Sequence, residues 1–277
     1  MIPEAFIIAW ARRAPWPTQT QIEQDLILAR LMIEIANHEL LGSEFAMRGG
    51  TCLQKLHLTT PARYSEDLDY VRRTRSGVGP YMAALRDVAT SFGLREREYE
   101  QTWEMVHMIF DGDSTSRVGR IRVKIEINVR DVESLGEVIR RPYTVDSPWW
   151  SGAADIPTSS VDELMATKLR ALYQRRKGRD LFDLWMVLTT VNADDRLIVD
   201  SLHRYMGDGA FGFADFAPNI RDKLLNDEFR EDLAQLLAGP PAAYDLEAAA
   251  DLIMERLGSR LAGAPPLDSI RDGAWRS

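Results

Sequence analysis

Between Ile121 and Val129 the chain alternates without a break. Ile121, Val123, Ile125, Ile127 and Val129 fall on one side of an extended segment; Arg122, Lys124, Glu126 and Asn128 fall on the other. Side chains along a strand alternate faces with a period of two. Such a segment must lay one face on a hydrophobic core and leave the other either wet or lining a site. The fold therefore contains a sheet with at least one polar face. Glu126, mid-strand on that face, is the only acid between Asp113 and Asp131.

The flanking patterns supply helices and turns. Thr20-Gln-Ile-Glu23 reads as a capping box opening a helix over 21–38. A strand over 44–47 leads to Gly49-Gly50, then to a short helix over 51–58. A turn over 59–63 feeds a strand that holds Ser65, Asp67 and Asp69. Pro80 opens the next helix and Gly93 closes it. Residues 94–110 read as one or two strands, and Asp111-Gly-Asp-Ser as a turn. The stretch 141–160 is rich in Pro, Ser, Trp and Asp and reads as a domain junction. Ser160-Val-Asp-Glu163 then caps a helix over 161–176, and Asp180 starts a second, to Thr190. Helices follow over 197–206, 219–225, 229–237 and 245–261, with a loose tail after Pro265. The expected class is α+β: a mixed-sheet domain over residues 1–145 and a mainly helical lobe over 146–277. A cleft between two such lobes is a common place for a ligand.

Composition excludes several classes. At 277 residues, 45% hydrophobic and 27% charged, the chain is an ordinary globular one. Cys52 is its single cysteine, so neither an internal disulfide nor a cysteine-rich zinc site is possible. The four histidines, His38, His57, His107 and His203, lack metal-ligand spacing. No run reaches membrane length and no signal peptide is evident, so a soluble, cytoplasmic protein is expected. A net charge of −8 argues against a wholly cationic nucleic-acid wrapper but allows a local basic face.

Two constellations carry chemistry. In the first, Asp67 and Asp69 stand at strand spacing and share a face. Paired carboxylates suit a hard cation such as Mg²⁺ or Mn²⁺, which bridges carboxylates and substrate phosphates. Gly49 and Gly50 offer unobstructed backbone N–H groups to a phosphate. Thr51 and Ser65 add hydroxyls, and Glu126 is the candidate third carboxylate; its alternative is an ion pair with Arg122 and Lys124. This is the outline of a nucleotidyl-transfer site, where catalysis is mainly positioning and charge neutralisation. In the second, six basic residues fall between Lys168 and Arg179 with no acid among them. Lys168 is a candidate for the triphosphate, Asp180 for orienting it or an arginine. Arg175, Arg176, Lys177 and Arg179 are candidates to track an RNA backbone. Trp149-Trp150 is a candidate base-stacking pair.

The stretches Arg48-Gly-Gly-Thr-Cys-Leu-Gln-Lys55, Arg63-Tyr-Ser-Glu-Asp-Leu-Asp69, Lys124-Ile-Glu-Ile-Asn128, Lys168-Leu-Arg-Ala171 and Arg179-Asp-Leu-Phe-Asp183 together resemble the AbiEii/AbiGii-type nucleotidyltransferase toxins, over about residues 10–240. The resemblance implies a DNA-polymerase-β-like nucleotidyltransferase core and a toxin of a toxin–antitoxin or phage-defence system, with an antitoxin encoded alongside. Relatives such as the mycobacterial MenT toxins add nucleotides to tRNA 3′ ends and block translation, so an NTP substrate, Mg²⁺ and a tRNA acceptor are implied. By motif match Ser65, Asp67, Lys168 and Asp180 inherit active-site roles. Gly-Gly stands here where the wider superfamily often has Gly-Ser, so a serine hydroxyl is missing. A small-molecule nucleotidyltransferase and a non-catalytic nucleotide- or partner-binding protein on the same fold remain open.

Overall fold

The computed structural model describes residues 2–115, 120–132, 136–237, 239 and 244–276. The chain divides into two compact units, Met1–Ser160 and Val161–Ser277.

The first unit is built on a seven-stranded mixed sheet. Its strands are β1 (Phe45–Arg48), β2 (Asp67–Arg72), β3 (Arg95–Gln101), β4 (Met105–Asp113), β5 (Arg120–Asn128), β6 (Ile139–Asp146) and β7 (Ser151–Thr158), in spatial order β3-β4-β5-β2-β1-β7-β6. β2 runs parallel to β5, and β1 parallel to β7; the other neighbouring pairs are antiparallel. The alternation in β5 does what it demands: Ile121, Val123, Ile125 and Ile127 are fully buried. Helices α1 (Glu4–Trp10), α2 (Gln19–Asn37), α3 (Glu39–Glu44), α4 (Gly49–Cys52) and α5 (Gly79–Thr90) belong to this unit. A π-helical turn, Leu53–His57, continues α4. The long α2 packs on β5 and β7 and is buried nearly all round. Its Asp25 accepts hydrogen bonds from Trp10 Nε1 (2.8 Å) and Trp16 Nε1 (2.9 Å) and pairs with Lys55 Nζ at 2.8 Å. That buried knot fixes the segment following the glycine turn.

Several elements differ from their sequence reading, each for a packing reason. The capping box of α2 is formed by Thr18 and Gln21, not Thr20 and Glu23. Glu23 is buried and accepts from Ser114 Oγ (2.7 Å) and the Thr115 amide (3.2 Å). Asp111-Gly-Asp is no turn but the end of β4, in register with Arg122, Ile121 and Arg120 of β5. A Cβ at Gly112 would lie 2.8 Å from Leu94 Cδ2, so Leu94 packs over the bare backbone there. The stretch 141–160, read as the domain junction, folds as most of the β6–β7 hairpin, and the first unit ends at Ser160. Thr158 Oγ1 of β7 donates to Met47 O of β1 at 2.8 Å, docking that hairpin. Pro142 is tolerated in β6 because that strand is a sheet edge.

The second unit is helical throughout its described residues: α6 (Val161–Gln174), α7 (Gly178–Thr190), α8 (Asp195–Met206), α9 (Phe213–Leu224), α10 (Asp227–Glu231), α11 (Leu246–Arg256) and α12 (Leu267–Arg271), with short 3₁₀ turns. α6 packs on α7 and α8, and α11 on α7. The tail beyond Pro265 is ordered rather than loose, because Ile270 and Trp275 bury their side chains.

Candidate active site

The glycine turn comes first. β1 ends at Arg48, and α4 opens at Gly49, whose φ of +81° disfavours any side chain. A Cβ there would lie 2.0 Å from Asp69 Oδ2, so backbone and carboxylate are packed together. At Gly50 a Cβ would lie 2.7 Å from both Arg63 Nη2 and Ser65 Oγ. Thr51 is fully buried; its hydroxyl donates to Asp67 O (2.5 Å) and lies 3.0 Å from Ser65 Oγ. The Thr51 hydroxyl is thereby committed to fixing the start of β2. Ser65 lies just before that strand and reaches the cluster through Thr51 rather than through strand alternation.

Register then assembles the acids. Asp67 and Asp69 are both half-buried. Asp67 stands opposite Lys124 and Asp69 opposite Glu126 across the parallel β2–β5 pair. On the other side Arg48 stands opposite Asp69, and His107 of β4 opposite Glu126. Arg48, Asp69, Glu126 and His107 thus form one row across four strands. Glu126 Oε1 is 2.6 Å from Lys124 Nζ and 2.9 Å from His107 Nδ1. Burial pushes the Glu126 carboxyl up, but the Lys124 hydrogen bond and charge, the Asp69 hydrogen bond and the His107 charge outweigh it and hold it low. Burial pushes Lys124 down, and the bond and charge of Glu126 with the charges of Asp67 and Asp69 raise it. Each group is thereby favoured in its charged form. Of the alternative ion pair with Arg122 and Lys124, the Lys124 half is formed, and His107 is the second partner of Glu126. The signal for His107 was present: Val106, Met108 and Phe110 are buried on the opposite face, which puts His107 with the acids.

The second cluster lies on α6 and α7. Lys168 Nζ is 3.2 Å from Asp180 Oδ1 and 2.8 Å from Asp183 Oδ2; its side chain is 8% exposed and both acids 0%. Arg175 Nε and Nη2 bond the two Asp180 oxygens at 2.7 and 2.9 Å. Asp180 and Asp183, at i and i+3, share one face of α7. Asp183 had no assigned role in the sequence reading. Burial raises Asp180, yet Lys168 and Arg175 overrule it and bring its carboxyl down to about 2. The rest of the basic run is answered by acids further along the chain. Lys177 pairs with Glu228 (2.8 Å), and the Arg179 amide donates to Asp232 (3.1 Å). Arg176 is exposed. Trp149 and Trp150, considered for base stacking, instead lie with their rings 5.1 and 5.2 Å from the Arg30 guanidinium.

Residues 30–255 match the sequence signature of the family described as "Nucleotidyl transferase AbiEii toxin, Type IV TA system". The chain belongs to that family. It is a nucleotidyltransferase of the AbiEii type, and the family as described is that of a toxin–antitoxin system. No curated protein sequence matches it. Its fold is similar to that of MenT4, a nucleotidyltransferase toxin from Mycobacterium tuberculosis H37Rv, with a TM-score of 0.62 at 14% identity over 100% of this chain and 94% of that one. It is similar also to JHP933 from Helicobacter pylori, with a TM-score of 0.54 at 19% identity over 93% and 94% of the two chains. At these identities the likeness speaks for the α+β nucleotidyltransferase fold.

An AbiEii-type enzyme is expected to use a divalent cation with its NTP. Among the described residues no group of three His, Cys, Asp or Glu side chains converges to hold a metal. The expected set of Asp67, Asp69 and Glu126 shares one face without closing round a point, because Glu126 is engaged by Lys124 and His107. The donor chemistry nevertheless fits Mg²⁺, which is bound through one or two carboxylates plus substrate phosphates. Asp69 and Glu126 also lie within hydrogen-bonding reach of each other. Carboxylates that close call for a cation or a shared proton.

Proposed function

We propose that this AbiEii-family enzyme transfers a nucleoside monophosphate from an NTP to the 3′ end of a tRNA, using Mg²⁺ or Mn²⁺, and so blocks translation as the toxin of a toxin–antitoxin pair. The observation that carries the reading is the packing of Asp69 on the Gly49 backbone, with Asp67 on the same strand face and Glu126 directly across. In this reading Asp67 and Asp69 hold the cation beside the triphosphate, and the Gly49-Gly50 amides receive phosphate oxygens. The cation, when bound, supplies charge neutralisation at the phosphates and acidifies the attacking hydroxyl. Glu126, directly opposite Asp69 on the same face, takes the proton of that hydroxyl. The hydroxyl oxygen bonds to the α-phosphorus as the bond to pyrophosphate breaks. In the second unit, Asp180 and Asp183 fix the Lys168 ammonium in one place, 3.2 and 2.8 Å away.

A second reading, a small-molecule acceptor, is favoured by one observation. Within the basic run that argued for RNA, Lys168, Arg175, Lys177 and Arg179 are paired with Asp180, Asp183, Glu228 and Asp232. Incubation with each labelled NTP, Mg²⁺ and total tRNA decides between them. Label appearing on tRNA 3′ ends, and lost in Asp67→Asn, supports the tRNA reading. Metal-dependent NTP binding with no transfer to any RNA moves the acceptor to a small molecule. Absence of NTP binding overturns the site.

A further inference from the structure

The polar face of the sheet contains a cation that the proposed chemistry does not use. Lys124 stands on β5 directly opposite Asp67, and two residues along the strand from Glu126, hence on the same face. Its ammonium is 2.6 Å from Glu126 Oε1, and its side chain is 33% exposed. Asp67 and Asp69 both act on its charge. Asp69 and Glu126 are themselves within hydrogen-bonding reach. Three carboxylates on two adjacent strands repel one another, and Lys124, opposite Asp67 and 2.6 Å from Glu126, stands beside them. A lysine is suited to such a place. It is a compact point charge on a flexible four-carbon stem, able to neutralise the acids and able to swing away.

We propose that the Lys124 ammonium is the built-in counter-cation of the carboxylate face, holding Asp67, Asp69 and Glu126 together and competing with a divalent ion for them. The inference rests on the reading that these carboxylates hold a metal, and it makes Lys124 a positioning residue rather than a group acting on the nucleotide. Binding of the divalent ion releases Lys124 from Glu126, freeing that carboxylate for the acceptor proton. The affinity for the metal is thereby set low until an NTP brings its own phosphate ligands to the ion.

The test is a Mn²⁺ titration of the full chain, followed by electron paramagnetic resonance, without nucleotide. Lys124→Met removes the charge and keeps the stem; Lys124→Gln serves as a second neutral variant should the first not fold. Either should bind Mn²⁺ about tenfold tighter than the parent, since a unit cation has left the site. Lys124→Arg keeps a cation and should stay within about threefold of the parent. A structural role alone moves stability but does not tighten metal binding. In chelator, Lys124→Met should lower Tm, and adding Glu126→Gln should restore part of the loss. Parental or weaker Mn²⁺ affinity in both neutral variants, with the parent binding Mn²⁺ normally, overturns the counter-cation inference alone. Mn²⁺ binding by neither parent nor variants, with or without a non-hydrolysable NTP, overturns the metal reading beneath it as well.

Discussion

The two charged clusters of this protein are built from the same residue types and are physically opposite. On the sheet, Asp67, Asp69 and Glu126 outnumber the Lys124 ammonium, and both aspartates stay half-exposed. In the helical unit, Lys168 and Arg175 match Asp180 and Asp183, and both acids are wholly buried. The sheet face is partly open to solvent, and Arg48 in its row is paired with Asp131 at 3.3 Å. A balanced, buried network has spent its charges on itself. In the proposed reading the sheet cluster takes the ligand ion, while the helical cluster joins α6 to α7. Removing one member of a buried ion network leaves the others unpaired, which costs far more than the network contributes net.

The largest effect should come from breaking the helical cluster. Lys168→Met leaves Asp180 and Asp183 short of a cation in the core and should cost about 3–5 kcal/mol of unfolding free energy, read by denaturant titration. If Lys168→Met keeps parental stability while transfer is lost, the contrast collapses and Lys168 is a purely functional group. Next come the sheet aspartates. Asp67→Asn or Asp69→Asn should lower kcat by about 10²–10³ while changing stability by less than about 1 kcal/mol, because the half-exposed face is left less crowded with negative charge. Full activity in either variant, or unfolding, removes the metal assignment. Glu126→Gln should lower turnover and leave NTP binding intact.

A smaller, pH-dependent effect separates the clusters again. Asp180 is held at about 2, against an ordinary 3.8. Its stabilisation is fully present above the unfolded-state value and is lost as pH falls from about 4 through about 2. Linkage puts that loss at about 2 kcal/mol, measurable as a steep acid limb in stability against pH that Asp180→Asn abolishes. The smallest effect belongs to the surface run. Arg176→Ala with Lys177→Ala should make the salt dependence of tRNA binding shallower by about one phosphate contact rather than two, because Lys177 is already paired with Glu228 at 2.8 Å. An unchanged slope takes this surface out of the RNA path.

The strand period made Ile121–Ile127 legible as a buried face and put Glu126 with the polar residues. The i, i+2 spacing did the same for Asp67 and Asp69. Those are local rules, and the structure keeps them. The hairpin of β6 and β7 was not legible, because Pro142 and the Trp149-Trp150 pair read as linker chemistry; only an edge position for β6 makes the proline harmless. The buried Glu23 was likewise misread as a cap, since its partners Ser114 and Thr115 lie far along the chain.

What the sequence by itself determined is the set of faces: which side of each strand is apolar, and which of α7 carries Asp180 and Asp183. Such periodicities follow from backbone geometry and need no knowledge of neighbours. What the tertiary structure alone decided is who stands opposite whom. The parallel register of β2 on β5 set Asp69 against Glu126 and Asp67 against Lys124, and β4 brought His107 alongside. The close contact of Gly49 with Asp69 gave the glycine its reason. Asp180 and Asp183 of α7, Glu228 of α10 and Asp232 just beyond it answered most of a basic run that, read alone, looked open to an anionic partner. Charge is read locally in a sequence, but its effect depends on the distance to every other charge, and that distance exists only once the chain has folded.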